Sequence, residues 1–400
     1  MTDENGAMWP LASSEKPDFI LIGTPGDRRV ALFQEALAGL GLPMARLVNY
    51  HDLTAGHVAL AGVITPTSIV RIESPGKNVE VERVLLALGA ELEDPEDEAY
   101  ERMSRNVIET LDFEKGRILP SRQWYLGYCQ VLRHIEQQVN LDQVMNRPSD
   151  IMLMFDKRNC HALLSQRGMA VPPALEPIHS YDELIAQMRR RRWSRVFVKL
   201  AHGSSASGVV AYRFAREHHQ AITTVEMVSN GNERRLYNSR RIRVYQDLKK
   251  IVPLIDALCR HRVHVEQWIP KAGYAEHTFD LRMVVIAGRA RHTVARLSRS
   301  PMTNLHLLNT RGDTEAILEV IGPARWELAR QSCERAASLF ESLYMGIDLL
   351  FTPDFKRHAI AEVNAFGDLL PGLLHDGQDT YTAEIIAALK VRDICSMPAT

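Results

Sequence analysis

Two acidic residues set inside apolar strands near the C-terminal end constrain this chain more than any other feature. Gly346-Ile-Asp-Leu-Leu-Phe351 is followed by a short polar turn and then by His358-Ala-Ile-Ala-Glu-Val-Asn364, which predicts an antiparallel hairpin. Residues two apart on a strand share a face, so Glu362 and Asn364 point the same way while Asp348 sits in the neighbouring strand. A lone acidic pair on such a hairpin would usually be exposed. Here both acids have apolar neighbours, where a charge is costly unless a cation compensates it. Hard oxygen donors that leave positions for water and phosphate suit Mg2+ shared with a nucleotide, and Asp348, Glu362 and Asn364 are the expected metal ligands.

At 400 residues the chain is too long for one hydrophobic core, and a prior of ~150 residues per domain gives two or three units. Lys plus Arg number 48 and Asp plus Glu 49, so no overall field favours nucleic acid or an anionic membrane. The arginine run 189–192 ends an expected helix from about Ser180 and reads as a solvated face. The five cysteines are widely spaced, with no CxxC pair and no Cys/His metal rhythm, which points to a reducing compartment. The N-terminal segment is polar and acidic rather than basic and then apolar, and no stretch approaches the ~20 apolar residues of a spanning helix. A soluble cytoplasmic protein is expected.

The pattern along the chain is α/β and then α+β. Residues 1–16 are expected to be a flexible tail. A short apolar run at 19–22, a Gly-Thr-Pro-Gly turn and an amphipathic stretch to Leu40 predict strand, turn and helix. Runs at 45–48 and 68–72 and a helical segment at 79–88 complete a small parallel α/β domain over 17–95. The acidic segment 91–98 reads as an exposed boundary. Helical periodicity over 100–141, with Trp124, Tyr125 and Tyr128 in the core, makes 96–150 a helical connector. Two further units follow, 151–262 and 263–390, with strands expected at 196–200, 209–212, 263–268, 281–287, 291–297, 347–351 and 358–363. A helix over 326–344 precedes the closing hairpin, and a last helix ends before a tail at 391–400.

Three more segments carry chemistry. Val196-Phe-Val-Lys199 is an apolar strand ending on a lysine and running into Leu-Ala-His-Gly203-Ser-Ser-Ala-Ser-Gly208. Its glycines and serines offer N–H and hydroxyl donors to a polyphosphate, so Lys199, Gly203, Ser204, Ser205, Ser207 and Gly208 are candidate phosphate contacts. The loop matches neither a Walker A nor a dinucleotide fingerprint. Glu266-Gln-Trp-Ile269-Pro270 ends a strand on a proline, so Glu266, Gln267, Trp268 and Ile269 can present extended backbone to an adenine edge. Asp280-Leu-Arg282 begins one strand and Arg296 ends the next. Guanidinium groups hold phosphate or carboxylate in two-donor fashion, which makes Arg282 and Arg296 the expected catalytic pair.

In this order the motifs resemble the ATP-grasp superfamily over roughly residues 150–390. The resemblance implies a parallel α/β pre-ATP-grasp domain followed by a two-lobed α+β ATP-grasp fold. ATP would lie between the lobes with its phosphates under a 203–208 flap, and two Mg2+ ions would sit on Asp348, Glu362 and Asn364. The resemblance adds Lys157 as a second phosphate lysine and Glu276 as an acidic ribose partner beyond the hinge. The Asp-Leu-Arg and Glu-Val-Asn signatures look most like the ligases that join amino acids to peptides.

The implied activity is ATP-dependent carboxylate–amine ligation through an acyl phosphate, releasing ADP and phosphate. Its partners would be a small-molecule or peptide carboxylate and an amine acceptor, with no nucleic acid, no membrane, and a homodimer allowed. An ATP-grasp kinase or phosphotransferase and a non-catalytic nucleotide-binding module are the alternatives. Arg71 and Glu73 end a strand of the N-terminal unit, where α/β sheets present ligands, and are candidates for holding an acceptor's carboxylate and amine. A plain Pro-Gly turn is an equal reading there.

Overall fold

Strand β1 (Phe19–Gly23) is apolar on both faces, and the chain covers both. With β2 (Arg46–Asn49) and β3 (Ile69–Ile72) it forms a parallel sheet in the order β2-β1-β3. Alternate residues of β1 enter separate cores. Phe19 and Leu21 meet Phe33 and Leu37 of the helix Arg28–Gly39, while Ile20 and Ile22 share a core with Leu85 and Leu132 of the helices Val79–Ala90 and Ser121–Glu136. These two helices cross where only glycine fits: a Cβ on Gly89 or Gly127 would lie 1.9 Å from an opposing carbonyl oxygen. This is a computed structural model that describes residues 17–395 except 77, 95, 97, 98, 113, 205, 231, 232 and 308, so the expected tail 1–16 lies outside the described residues.

The helical periodicity predicted over 100–141 resolves into a short helix, Arg105–Glu109, and the long one at Ser121–Glu136. Gly116, with φ of 83°, and Pro120 at the N-cap interrupt it. The acidic boundary is partly a clasp: Asp94 accepts from Arg122 Nε at 3.0 Å and from Arg262 Nη1 at 3.2 Å, both arginines being buried.

The first lobe is an antiparallel sheet of β4 (Arg195–Leu200), β5 (Val210–Ala215), β6 (His218–Asn230), β7 (Glu233–Tyr245) and β8 (Val263–Gln267), in the order β7-β6-β5-β4-β8. Because β8 pairs with β4, this lobe extends through Gln267 rather than ending at 262. The helices Tyr181–Arg191 and Leu248–Arg260 bury one face of it. The long β6–β7 hairpin has no counterpart in the sequence reading.

The second lobe is also antiparallel. It comprises β9 (Gly273–Tyr274), β10 (His277–Ile286), β11 (Arg289–Ser298), β12 (Thr310–Arg311), β13 (Tyr344–Phe351) and β14 (His358–Asn364). The order is β12-β11-β10-β13-β14, with β9 pairing β10. Leu281 and Met283 share a core with Ala329 and Cys333 of the helix Pro323–Ala337. That helix stops short of the predicted 344, where β13 already begins, and the last helix, Thr380–Cys395, runs past the tail boundary placed at 391. Among the described residues no helix is long and apolar enough to cross a membrane. Cys129, Cys160, Cys259 and Cys333 are free and buried.

Candidate active site

Strand periodicity builds one side of the site. Across the second-lobe sheet Asp280 lies opposite Arg296, Arg282 opposite Asp348, and Asp348 opposite Glu362. One face of four adjacent strands therefore carries Arg296, Asp280, Arg282, Asp348 and Glu362 side by side. Arg296 Nε reaches Asp280 Oδ1 at 2.7 Å and its Nη2 reaches Asp348 Oδ2 at 3.0 Å, while Arg282 Nε donates to Asp348. Burial pushes the Asp348 carboxyl up, but Arg282 and Arg296 hold it below the usual carboxylate range. The buried Asn364 amide nitrogen has no hydrogen-bond partner. Gly367 accepts from Arg282 Nη1 at 3.2 Å, and a Cβ there would meet Gly346 Cα at 2.3 Å and Arg282 Nη1 at 2.9 Å. A bare backbone at Gly367 thus sets where Arg282 lies.

The first lobe supplies the facing side. Lys199 ends near Glu266 on the neighbouring strand, Nζ to Oε1 2.5 Å. Burial lowers the lysine, but the charges of Glu266, Glu362 and Asp348 together with the Glu266 hydrogen bond outweigh it, and the net shift is upward. Burial raises Glu266, yet Lys199 and His264 hold it at about 2. Lys157 opens the helix Lys157–Gln166, which Asp156 caps by accepting from the N–H groups of Arg158 and Asn159. Its Nζ donates to Gly203 O at 2.5 Å and pairs with Glu362 Oε1 at 3.0 Å, joining the Gly-Ser loop to the acidic hairpin.

These groups converge on one cavity of about 570 Å3 between the lobes. Lys157, Lys199, Arg282, Arg296, Asp348, Glu362 and Asn364 all line it, as do Gly203, Ser204, Ser207, Glu266, Gln267 and Ile269. Phe197, Val209, Pro172 and Leu350 make an apolar end suited to a flat ring. In the hinge, Gln267 N–H donates to Pro173 O and Trp268 N–H to Arg195 O, so among the described residues Ile269 offers the hinge N–H without an internal acceptor. The three oxygen-bearing side chains fit Mg2+: they are hard donors on two paired strands, open to one cavity.

Several sequence expectations are corrected. Trp268 packs behind the cavity, its ring 5.5 Å from Phe197. Gly208 does not line the cavity; with φ of 68° it turns the loop over Leu200, whose Cγ a Cβ would meet at 2.4 Å. Ser205 lies outside the described residues. Glu276 is 89% exposed in the β9–β10 turn and away from the cavity, because Ala275, at φ of 51°, carries the chain outward.

Arg71 and Glu73 are buried rather than facing an acceptor. Arg71 holds Glu73 at 2.6 Å, Asp368 at 2.6 Å and Glu384 at 2.7 Å, with its guanidinium among the rings of Phe33, Tyr344 and Tyr381. They tie the N-terminal sheet to the C-terminal helix.

Among the lining residues that escaped the sequence reading are Lys271, Thr303, Asn304 and Arg29. Lys271 Nζ lies 2.6 Å from Thr303 Oγ1 and 3.1 Å from Asp280 Oδ2, and burial lowers it in spite of Asp280. Its signal was a lysine directly after Ile269-Pro270, leading into the fully buried Ala272. Thr303 and Asn304 sit on an aperiodic loop that gives no such cue. Arg29 enters the cavity from the first turn of its helix, donating to Asp368 Oδ1 and Phe366 O at 2.7 Å each.

A parallel α/β unit followed by two antiparallel lobes that clasp a charged cavity is the ATP-grasp fold. No protein-family model and no curated protein matches the sequence. Solved structures match nearly end to end. D-alanine–D-alanine ligase from Bacillus anthracis superposes with a TM-score of 0.52 at 10% identity, covering 96% of this chain and 100% of its own. D-cycloserine synthetase DcsG gives 0.52 at 12% identity over 93% and 99% of the two chains. Macrocyclase MdnC of Microcystis aeruginosa MRC, bound to precursor peptide MdnA, gives 0.51 at 13% identity over 94% and 99%.

Proposed function

We propose that the protein is an ATP-dependent carboxylate–amine ligase that works through an acyl phosphate. The observation that carries this reading is a single cavity that gathers Lys157, Lys199, Arg282 and Arg296 with the oxygen donors Asp348, Glu362 and Asn364. The adenine occupies the apolar end, against the Ile269 N–H. Lys157, Lys199 and the hydroxyls of Ser204 and Ser207, which line the cavity, take the phosphates. Mg2+ held by Asp348, Glu362 and Asn364 would supply charge neutralisation at the phosphate oxygens. The cations and carboxylates now neutralise each other, so Lys157 drawn to a phosphate frees Glu362, and Arg282 and Arg296 drawn there together free Asp348.

A substrate carboxylate oxygen attacks the γ-phosphorus as the bond to ADP breaks. The amine nitrogen then attacks the acyl carbon, expelling phosphate and losing a proton. Arg282 and Arg296 stabilise the charge on the transferring group and on the oxyanion, and no side chain becomes covalently attached. The ligases among the structural neighbours, one bound to a precursor peptide, support an amino acid or peptide as acid or amine.

Product analysis with ATP, Mg2+ and panels of amino acids and peptides tests the reading. ADP and phosphate should appear only when an acid and an amine are both present; a stable phosphorylated product would instead make the protein a kinase. A second outcome concerns Arg282. Arg282→Ala should lower kcat on the order of 10²-fold while ATP affinity by calorimetry changes little, and Lys should rescue only in part for lack of a planar two-donor fork. Loss of ATP binding in step with activity would move Arg282 into the nucleotide site.

A further inference from the structure

The arginine run at the end of the helix Tyr181–Arg191 is not an isolated solvated face. It meets the far end of the first-lobe sheet, where Arg195 of β4 lies directly opposite Arg213 of β5 and Arg216 forms the next turn. Two residues past the run, Ser194 O accepts from Phe214 N–H of β5 at 2.9 Å, which places the run beside those strands. Seven arginines, at 189–192, 195, 213 and 216, thus crowd one end of the lobe and are exposed. Among the described residues none of them has an ion-pair partner within the chain. Like charges directly opposite on paired strands are destabilising, so Arg195 and Arg213 are an unfavourable pair unless something negative lies over them.

Arg195 and Arg213 line a groove of about 580 Å3, separate from the cavity between the lobes, with the other five arginines outside its lining and Glu217 the one acidic residue along its described lining. Ser194, Gln220 and Gln246 add neutral donors and acceptors. We propose that this groove docks an acidic peptide segment, with guanidinium groups taking its carboxylates and the neutral side chains its backbone. Arg213 is already oriented, its Nε donating to Gln220 Oε1 at 2.9 Å. Single-stranded nucleic acid is disfavoured, because such sites present aromatic faces to bases. Here Phe214 and His219 stack on each other, centroids 5.9 Å apart, and His219 is fixed by Tyr212 Oη at 2.7 Å. The inference does not depend on the ligase reading.

Fluorescence anisotropy on the full chain tests it, with a labelled octaglutamate peptide and a thymidine octanucleotide as probes. Octaglutamate should bind in a salt-sensitive way and more tightly than the octanucleotide. The double variant Arg195→Glu/Arg213→Glu should weaken it by roughly tenfold or more, whereas Arg325→Glu, on the exposed face of a second-lobe helix, should not. Arg195→Glu alone creates an opposite-charge pair with Arg213, so it should lose binding while the melting temperature holds or rises, which separates docking from folding. No octaglutamate binding, an equal loss in Arg325→Glu, or tighter binding of the octanucleotide would each overturn the proposal.

Discussion

Glu362→Gln should reduce ATP turnover below about 1% of the parent value while leaving the fold in place, because a metal ligand that loses its charge forfeits affinity that an amide cannot restore. The fold is spared for a separate reason. The Glu362 side chain is 27% exposed at the cavity wall, and its ion pair to Lys157 is partly open to solvent. Such a pair contributes only about 0–1 kcal/mol to stability, and glutamine keeps the shape and one acceptor. Turnover should be measured at saturating Mg2+ beside a melting curve. Near-parental turnover would remove Glu362 from the metal site, whereas a collapsed melting temperature would make it a structural residue.

Arg71→Met should have the opposite signature. Three carboxyl groups, Glu73, Asp368 and Glu384, converge on this one buried guanidinium, and among the described residues only Asp368 has another cation, Arg29, in contact. Burial pushes the Glu384 carboxyl well above the usual range despite its bond to Arg71. Removing the shared cation leaves buried acid groups uncompensated, a loss of about 3–5 kcal/mol. For domains of this size that lowers the melting temperature by roughly 10 °C. An acceptor-binding role predicts the reverse, an unchanged melting temperature with a raised KM. Thermal melts with steady-state kinetics on the same variant distinguish the two.

The contrast between these residues shows what the sequence could express. Asp348, Glu362 and Asn364 were legible because two-residue periodicity and apolar flanks fix which face a strand residue takes. Lys199, Gly203, Ser204 and Ser207 were legible as cavity residues because a strand-ending lysine beside glycines is a local pattern. Arg71 was misread because its partners Asp368 and Glu384 lie 297 and 313 positions along the chain, a distance no local pattern encodes. Glu276 was placed by distance from the hinge, which takes no account of the turn at Ala275 that carries it to the surface. The β6–β7 hairpin escaped because polar residues occupy both of its faces over 218–245, so hydrophobic alternation never announces a strand.

The central claim is that a carboxylate oxygen attacks the γ-phosphorus. The direct measurement uses the acid found by product analysis, labelled with oxygen-18 in its carboxyl group, with ATP, Mg2+ and the amine. An acyl phosphate transfers one labelled oxygen to the phosphate expelled by the amine, so mass spectrometry should find singly labelled phosphate in step with amide formation. Unlabelled phosphate would mean that water, not the acid, attacks ATP, and the ligase account would be contradicted.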